Sequence, residues 1–222
     1  MGLGCWAIGG PTQFRGSQFG WGQIDEREAI RAIHVALDGG INFIDTADVY
    51  GTGRSERIVG QAVAGRRDRV LLATKFGLTF DEYSGSMTGR DASPAYIKCA
   101  CEGSLRRLGT DSIDLYQFHI GNHDPETVTP VLDALDELVA DGKIRYYAWG
   151  TEPEGARRFV ERGHCPSVQF GLNMLTMFFA EAAQMLAFCD EHDLAASAAS
   201  PSPGSRPWPR CGTMSAPSST AP

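Results

Sequence analysis

Asn42-Phe43-Ile44-Asp45-Thr46-Ala47-Asp48-Val49-Tyr50-Gly51 is a short apolar strand that runs directly into acidic, hydroxylated and aromatic side chains. The strand itself is read as Ile41 to Ala47. Upstream, Asp25 followed three residues later by Glu28 has the form of a capping box, with Asp in the cap role. Ala29, Ile30, Ile33, Ala36 and Leu37 then recur at helical spacing until Gly39-Gly40 stops the helix. Downstream, Ser55 is placed to cap a helix whose apolar face is Ile58, Val59, Ala62 and Val63, and Arg69 to Phe76 is the next strand. The unit around the quoted stretch is therefore strand, helix, strand.

The same unit extends in both directions. Gly2 to Ile8 is the first strand, followed by a Gly-rich loop. Beyond Phe76, Ser93-Pro94 opens a helix with Ile97, Cys101, Leu105 and Leu108 as its stripe, ended by Gly109. Strands follow at Ile113 to His119, Ile144 to Trp149, Val168 to Asn173 and, more weakly, Leu194 to Ala198. The intervening helices begin at Asp124-Pro125, near Glu154 and at Glu181. Strict alternation predicts parallel strands joined by helical crossovers. An open doubly wound sheet and a closed barrel both satisfy it, and the pattern alone does not choose.

Residues 200–222 contain six Pro, six Ser and two Gly, with no Ile, Leu, Val, Phe or Tyr. Such a segment cannot bury enough apolar surface to offset its ordering entropy. The expected organisation is thus one α/β domain over 1–199 and a disordered tail over 200–222. A net charge of -7 argues against nucleic acid as a partner. No apolar run approaches the roughly 20 residues of a membrane span, and Met1-Gly2-Leu3 lacks the basic start of a signal peptide. The six cysteines are scattered without a C-x-x-C pair, which predicts a reduced, cytoplasmic protein. Oligomeric state is not readable.

Polar residues gather where successive strands end: Asp45, with Tyr50 in the loop after it, then Lys75, then His119. In a barrel those ends converge on one face. A lysine and an aspartate at the ends of apolar strands are costly unless paired. Paired, they bring a cation to a tyrosine hydroxyl and are expected to lower its pKa from about 10 toward neutrality. Such a tyrosine can donate a proton to a carbonyl oxygen, and a histidine can hydrogen-bond the same oxygen. Singly, each residue has a commoner structural use: a strand-end cap, an interfacial aromatic, a snorkelling lysine, a satisfied histidine. Four on consecutive strand ends reverse that weighting. His119, His123 and Asp124 also suggest a metal site, but a strand end and a loop do not give them the helical spacing that would converge them, so no metal is expected.

The quoted stretch with Ser55-Glu56, the segment Ala73-Thr74-Lys75-Phe76-Gly77, and Ser104 to Asp111 continued by Ile113 to His119 resemble, in order, the motifs of the aldo/keto reductases. The resemblance covers roughly residues 2 to 199 and implies a (β/α)8 barrel of the TIM type, with about six to seven βα units present. It implies NADPH-dependent reduction of small aldehydes or ketones. Tyr50 falls on the proton donor, Lys75 on the lysine that tunes it, Asp45 on that lysine's partner and His119 on the histidine that orients substrate. For the cofactor it implies Cys5 and Trp6 beside the nicotinamide ribose, and Gln169 on the carboxamide with Asn173. Gly150 and Thr151 lie in the fifth-strand segment, where Gly150 replaces the usual serine. Trp6, Trp21 and Phe80 are candidate pocket walls.

At its ends the sequence departs from the family. It starts at the first strand, without the usual β-hairpin before it. Past Leu194 the expected seventh-strand continuation, the basic loop that clamps the 2'-phosphate and the eighth strand have no counterpart. A truncated or frame-shifted product is expected from this change, with an inactive or nucleotide-sensing relative, or a non-functional fragment, as the alternative function.

Overall fold

The computed structural model describes residues 2–150, 153–171 and 180–199. Its first strand, β1, is Gly2–Gly4. The capping reading then holds: the Asp25 carboxylate accepts from the N–H groups of Arg27 and Glu28 at the start of α1, Glu26–Asp38. The Glu28 side chain does not reach back to the cap; it pairs with Arg31. Ala29 and Ile33 face the core, and Gly40, at φ 92°, lets the chain leave the helix.

Eleven strands and six α-helices follow one another among the described residues. The parallel set comprises β1, β4 (Phe43–Asp45), β5 (Leu71–Phe76), β8 (Ile113–Phe118), β9 (Ile144–Trp149), β10 (Ser167–Gly171) and β11 (Ala195–Ala199). Between them run α2 (Arg54–Val63), α3 (Pro94–Leu108), α4 (Thr129–Ala140), α5 (Pro153–Glu161) and α6 (Ala180–Glu191). One sheet has the order β1-β4-β5-β8-β9, and β10 pairs in parallel with β11. Tyr147 N–H on β9 donates to the carbonyl of His164 just before β10 at 3.0 Å, which continues the order. Spatial order therefore equals chain order. A doubly wound sheet reverses its order at a switch point; this one does not, so the rivalry left by the pattern resolves in favour of the barrel type.

The strands are shorter than their apolar runs suggest. β1 stops at Gly4 because residues 7–9 turn into a 3-10 helix, and β4 spans three residues of the seven expected. β8 is buried at all six positions, as a strand covered on both faces must be. Its Asp114, an otherwise costly buried carboxylate, accepts from Leu72 N–H at 2.9 Å and pairs with Arg67 and Arg145. Phe76, Tyr116, Phe118, Trp149 and Phe159 form the aromatic centre of the core.

One layer was not anticipated. The Gly-rich loop after β1 holds a hairpin, β2 (Thr12–Phe14) and β3 (Ser17–Phe19), turned by Arg15 and Gly16, both at positive φ. A second hairpin, β6 (Leu78–Asp81) and β7 (Ser86–Arg90), leaves the end of β5. β2 and β7 meet at Gln13 and Ser86, so the two loops join as a four-stranded sheet, β3-β2-β7-β6. Both leave the carboxyl ends of barrel strands, the face on which βα-loops build sites. Among the described residues no helix is long and apolar enough to cross a membrane. Thr151, the Asn173 end of the sixth strand and the tail 200–222 lie outside the described residues.

Candidate active site

Asp45, Tyr50, Lys75 and His119 are brought together as the alternation requires. Lys75 Nζ donates to both Asp45 oxygens at 2.7 Å and to the Thr46 carbonyl at 2.9 Å. The same ammonium lies 5.2 Å from the centroid of the Tyr50 ring. The His119 ring stands edge-on to Tyr50 at 6.1 Å, and the Trp6 ring lies on another side at 6.1 Å. Backbone bonds fix the frame: His119 N–H to Phe76 O and Cys5 N–H to Asp45 O, each 2.8 Å.

The turn carrying Tyr50 is over-determined. Ser55 was read as a helix cap, but Gly53 occupies that position and the Ser55 hydroxyl is used elsewhere. It donates to the Cys5 carbonyl and contacts Thr46 Oγ1, both at 2.8 Å, while Ser55 N–H donates to Tyr50 O at 3.1 Å. One buried serine thus ties the end of β1, the end of β4 and the Tyr50 turn. Gly51 is at φ 59°, and a Cβ there would lie 1.9 Å from Gly9 O, so only glycine allows the two loops this approach.

The electrostatics correct one expectation. Burial, the largest influence, pushes the Tyr50 phenol above its ordinary value; Lys75 pulls it down and Asp45 pushes it up. The lysine's charge is largely spent on the carboxylate it chelates, so the phenol sees an ion pair rather than a bare cation. Tyr50 consequently holds its proton at neutral pH, the form a donor needs. Burial would lower Lys75, yet Asp45 and Tyr50 more than offset it and hold the ammonium above its usual range. Burial, aided by Lys75, depresses His119 to about 3, and its buried Nδ1 has no partner among the described residues. A neutral imidazole results. Burial also drives the Cys5 thiol up to about 12, so it is no nucleophile at neutral pH.

His119 carries a stability consequence. Its folded pKa lies below the unfolded value of about 6.5, so the unfolded chain binds the proton first and stability is lost as pH falls from about 6.5 toward 3. Melts between those limits should show a loss approaching about 1.4 kcal/mol per pH unit from this group, and His119→Gln should flatten it. Equal slopes in parent and variant would contradict the burial of a neutral ring.

The remaining predicted residues divide. Gln169 donates weakly to Ser197 at 3.4 Å, and both border a cavity of about 690 Å³ inside the strand layer that reaches Leu71, Asp114 and Arg145 at the amino ends of the strands, away from Tyr50 and His119. A Cβ on Gly150 would lie 1.9 Å from Gln169 O, so a serine there would force these strand ends apart. Trp21 packs edge-on against Trp6 at 6.1 Å. Phe80 lies under the Arg107 guanidinium, a packing partner rather than an open wall. His123 packs edge-on against Phe118 and Trp149.

Two features escaped the sequence reading. Gln117 Nε2 donates to Asp45 Oδ1 at 2.9 Å. Behind β5, the fully buried Glu56 accepts from Arg107 Nε and from Thr74 Oγ1, each at 2.6 Å, with Asp48 alongside. The signal for the second lay in Glu56 and Arg107, both charged and both within the motifs. Burial and Glu56 push Asp48 well above the carboxylate range, Arg107 opposing, and its Oδ1 has no partner among the described residues. A raised folded pKa destabilises as pH climbs past the unfolded value near about 4. Asp48→Asn mimics the protonated acid, so its melting temperature relative to the parent should improve from about pH 5 to pH 8. A deficit of the same size at both values would show that Asp48 is ionised.

Fold and site together define a (β/α)8-type barrel with a buried lysine–aspartate pair beside a tyrosine and a histidine at the strand ends. The profile of the aldo/keto reductase family matches residues 1–205, and the chain belongs to that family. It is 44% identical over 150 residues to aldo-keto reductase YhdN of Bacillus subtilis, covering 65% of this chain and 41% of that one. An aldo-keto reductase of Bacillus halodurans, solved in its holo form, shares 32% identity at a TM-score of 0.73, covering 88% of this chain and 60% of that one. One from Klebsiella pneumoniae in complex with NADPH shares 29% at 0.67, covering 89% and 62%. The chain thus spans about 40–60% of the length of these relatives.

Proposed function

We propose that this site reduces small aldehydes or ketones with NADPH, Tyr50 giving the proton. The observation that carries the reading is the Lys75 ammonium, chelated by Asp45 and set 5.2 Å from the ring of a half-buried tyrosine that a histidine faces. NADPH, when bound, supplies hydride to the carbonyl carbon. Cys5, Trp6 and Asp45 would border its nicotinamide ribose, and Gln169, Gly150, Thr151 and Asn173 its carboxamide side. The fit rests on the weak bond that leaves the Gln169 amide, packed beside Gly150 at the strand ends, exchangeable. The NADPH complex of the Klebsiella relative supports the choice of cofactor.

The chain's own residues then act on the carbonyl oxygen. His119, kept neutral by burial, directs a ring N–H toward that oxygen and orients the substrate. Tyr50 O–H donates its proton as negative charge develops there. Lys75 stabilises the phenolate left behind, and Asp45 keeps Lys75 protonated and in place. Trp6 and Trp21 screen the site from water on one side. Titration with NADPH, followed by tryptophan fluorescence, tests the cofactor half: saturable quenching is expected, and a folded protein whose emission does not respond would contradict it.

A further inference from the structure

We propose that Gln117 is a positioning residue that partitions the charge of Asp45 between itself and Lys75 and thereby sets the acidity of Tyr50. The inference rests on the reductase reading of the same site. Gln117 is on β8, buried, and is the register partner of Lys75 on β5. It therefore shares one interior layer with the lysine, and its amide reaches past β5 to Asp45 on β4.

The donor inventory shows why this contact matters. An ammonium has three N–H groups. Those of Lys75 go to Asp45 Oδ1, Asp45 Oδ2 and Thr46 O. The phenol shares an N–H only secondarily, so Lys75 acts on Tyr50 mainly through its field and to a lesser degree through a hydrogen bond. That field is cancelled to the extent that Asp45 keeps its full charge beside it. A donor on Asp45 Oδ1 draws on that charge and leaves more of the lysine's field to Tyr50. Gln117 is, with Lys75, what the described side chains supply to that carboxylate. The ionisable groups facing this layer are Asp45 from β4, Tyr50 from the following turn, Lys75 from β5, His119 from the end of β8 and Cys5 from the end of β1. His119 and Cys5 are neutral at working pH, and β9 presents Ala148 opposite Gln117.

The test is Gln117→Glu. While the introduced carboxyl is protonated, its O–H can donate to Asp45 as the amide does. Once ionised, it sets a second negative charge against Asp45, and like-charge proximity raises its titration into the range of about pH 5 to 8. The chain has three lysines, Lys75, Lys98 and Lys143. The side-chain carbon resonance of Lys75 in Gln117→Glu is expected to show an inflection in that range, absent from the parent and from Lys98 and Lys143. Across the same inflection kcat should fall about tenfold, the effect of one pKa unit on the proton donor, with KM nearly constant. Near the acid end the variant should approach the parent, a recovery that a packing defect would not show. A Lys75 resonance and kcat that run parallel to the parent across the range would overturn the assignment. Should Gln117→Glu not fold, Gln117→Met serves: loss of the donor is expected to move the titrations of Lys75 and Tyr50 upward, and unchanged titrations overturn the proposal. Tyr50→Phe separates the two levels. If it retains turnover, the reductase reading fails; if it loses turnover while Gln117→Glu follows the parent, Gln117 alone is misassigned.

Discussion

Tyr50→Phe is expected to lower turnover by about 10²-fold or more, the usual size of a general-acid contribution, while NADPH affinity hardly changes. The half-buried phenol ring lies 6.1 Å from each of the Trp6 and His119 rings, with its hydroxyl under the influence of Lys75. Phenylalanine fills the same space, so packing and the ties from Ser55 to the turn persist. What is lost is the proton delivered as the carbonyl oxygen gains charge. An interaction made only in the transition state lowers kcat and kcat/KM together. Single-turnover kinetics at saturating NADPH check this directly. Turnover within about twofold of the parent, far below the 10² that a general acid contributes, would remove Tyr50 from the mechanism.

The second large effect belongs to the ion pair. Lys75→Met strands the Asp45 carboxylate among strand ends, its side chain only 16% exposed. Removing one partner of a buried pair costs about 3–5 kcal/mol, and the residual exposure places this case toward the lower end. In a domain of this size that is about a 10 °C fall in melting temperature. The charge left behind also bears on Tyr50: without the cation, and with Asp45 still ionised, the phenol becomes a weaker acid. The alkaline limb of the pH profile should therefore shift upward as the rate falls. Asp45→Asn removes the charge that opposes the lysine at the phenol, so the alkaline limb should shift downward. An unchanged profile in an active Lys75→Met variant would make the lysine purely structural.

Much of this was legible in the sequence because the chemistry sits at predictable places. Strands that alternate with helices must be parallel, and polar residues at their ends must converge, so Asp45, Lys75 and His119 could be placed before any geometry was known. Capping at Asp25 and Ser93 was likewise readable, since those residues precede amphipathic runs. Ser55 was misread as a cap because its hydroxyl competes for a partner fifty residues away, the Cys5 carbonyl.

The four-stranded layer over the loops was missed for a different reason. β3 is exposed at all three positions and β2 spans three residues, so neither carries an alternating pattern. Only the Arg15-Gly16 turn hinted at a hairpin. Gln117 was invisible because it lies in an unbroken buried strand, where pattern cannot say which face a residue takes. The downward pull on Tyr50 was overrated since the sequence named the cation but neither the burial of the phenol, which is the larger influence, nor the two 2.7 Å bonds from the cation to Asp45. Thr151 and Asn173, the remaining expected cofactor contacts, are outside the described residues.

The measurement that bears most directly on the central claim is the loss of nicotinamide absorbance from NADPH on adding a small aldehyde, run side by side with the parent chain and Tyr50→Phe. The account predicts aldehyde-dependent oxidation by the parent that falls by about 10²-fold or more in the variant, with both proteins binding NADPH alike. Equal rates in the two, or NADPH bound by a folded parent that never oxidises it in the presence of any small aldehyde or ketone, would contradict it.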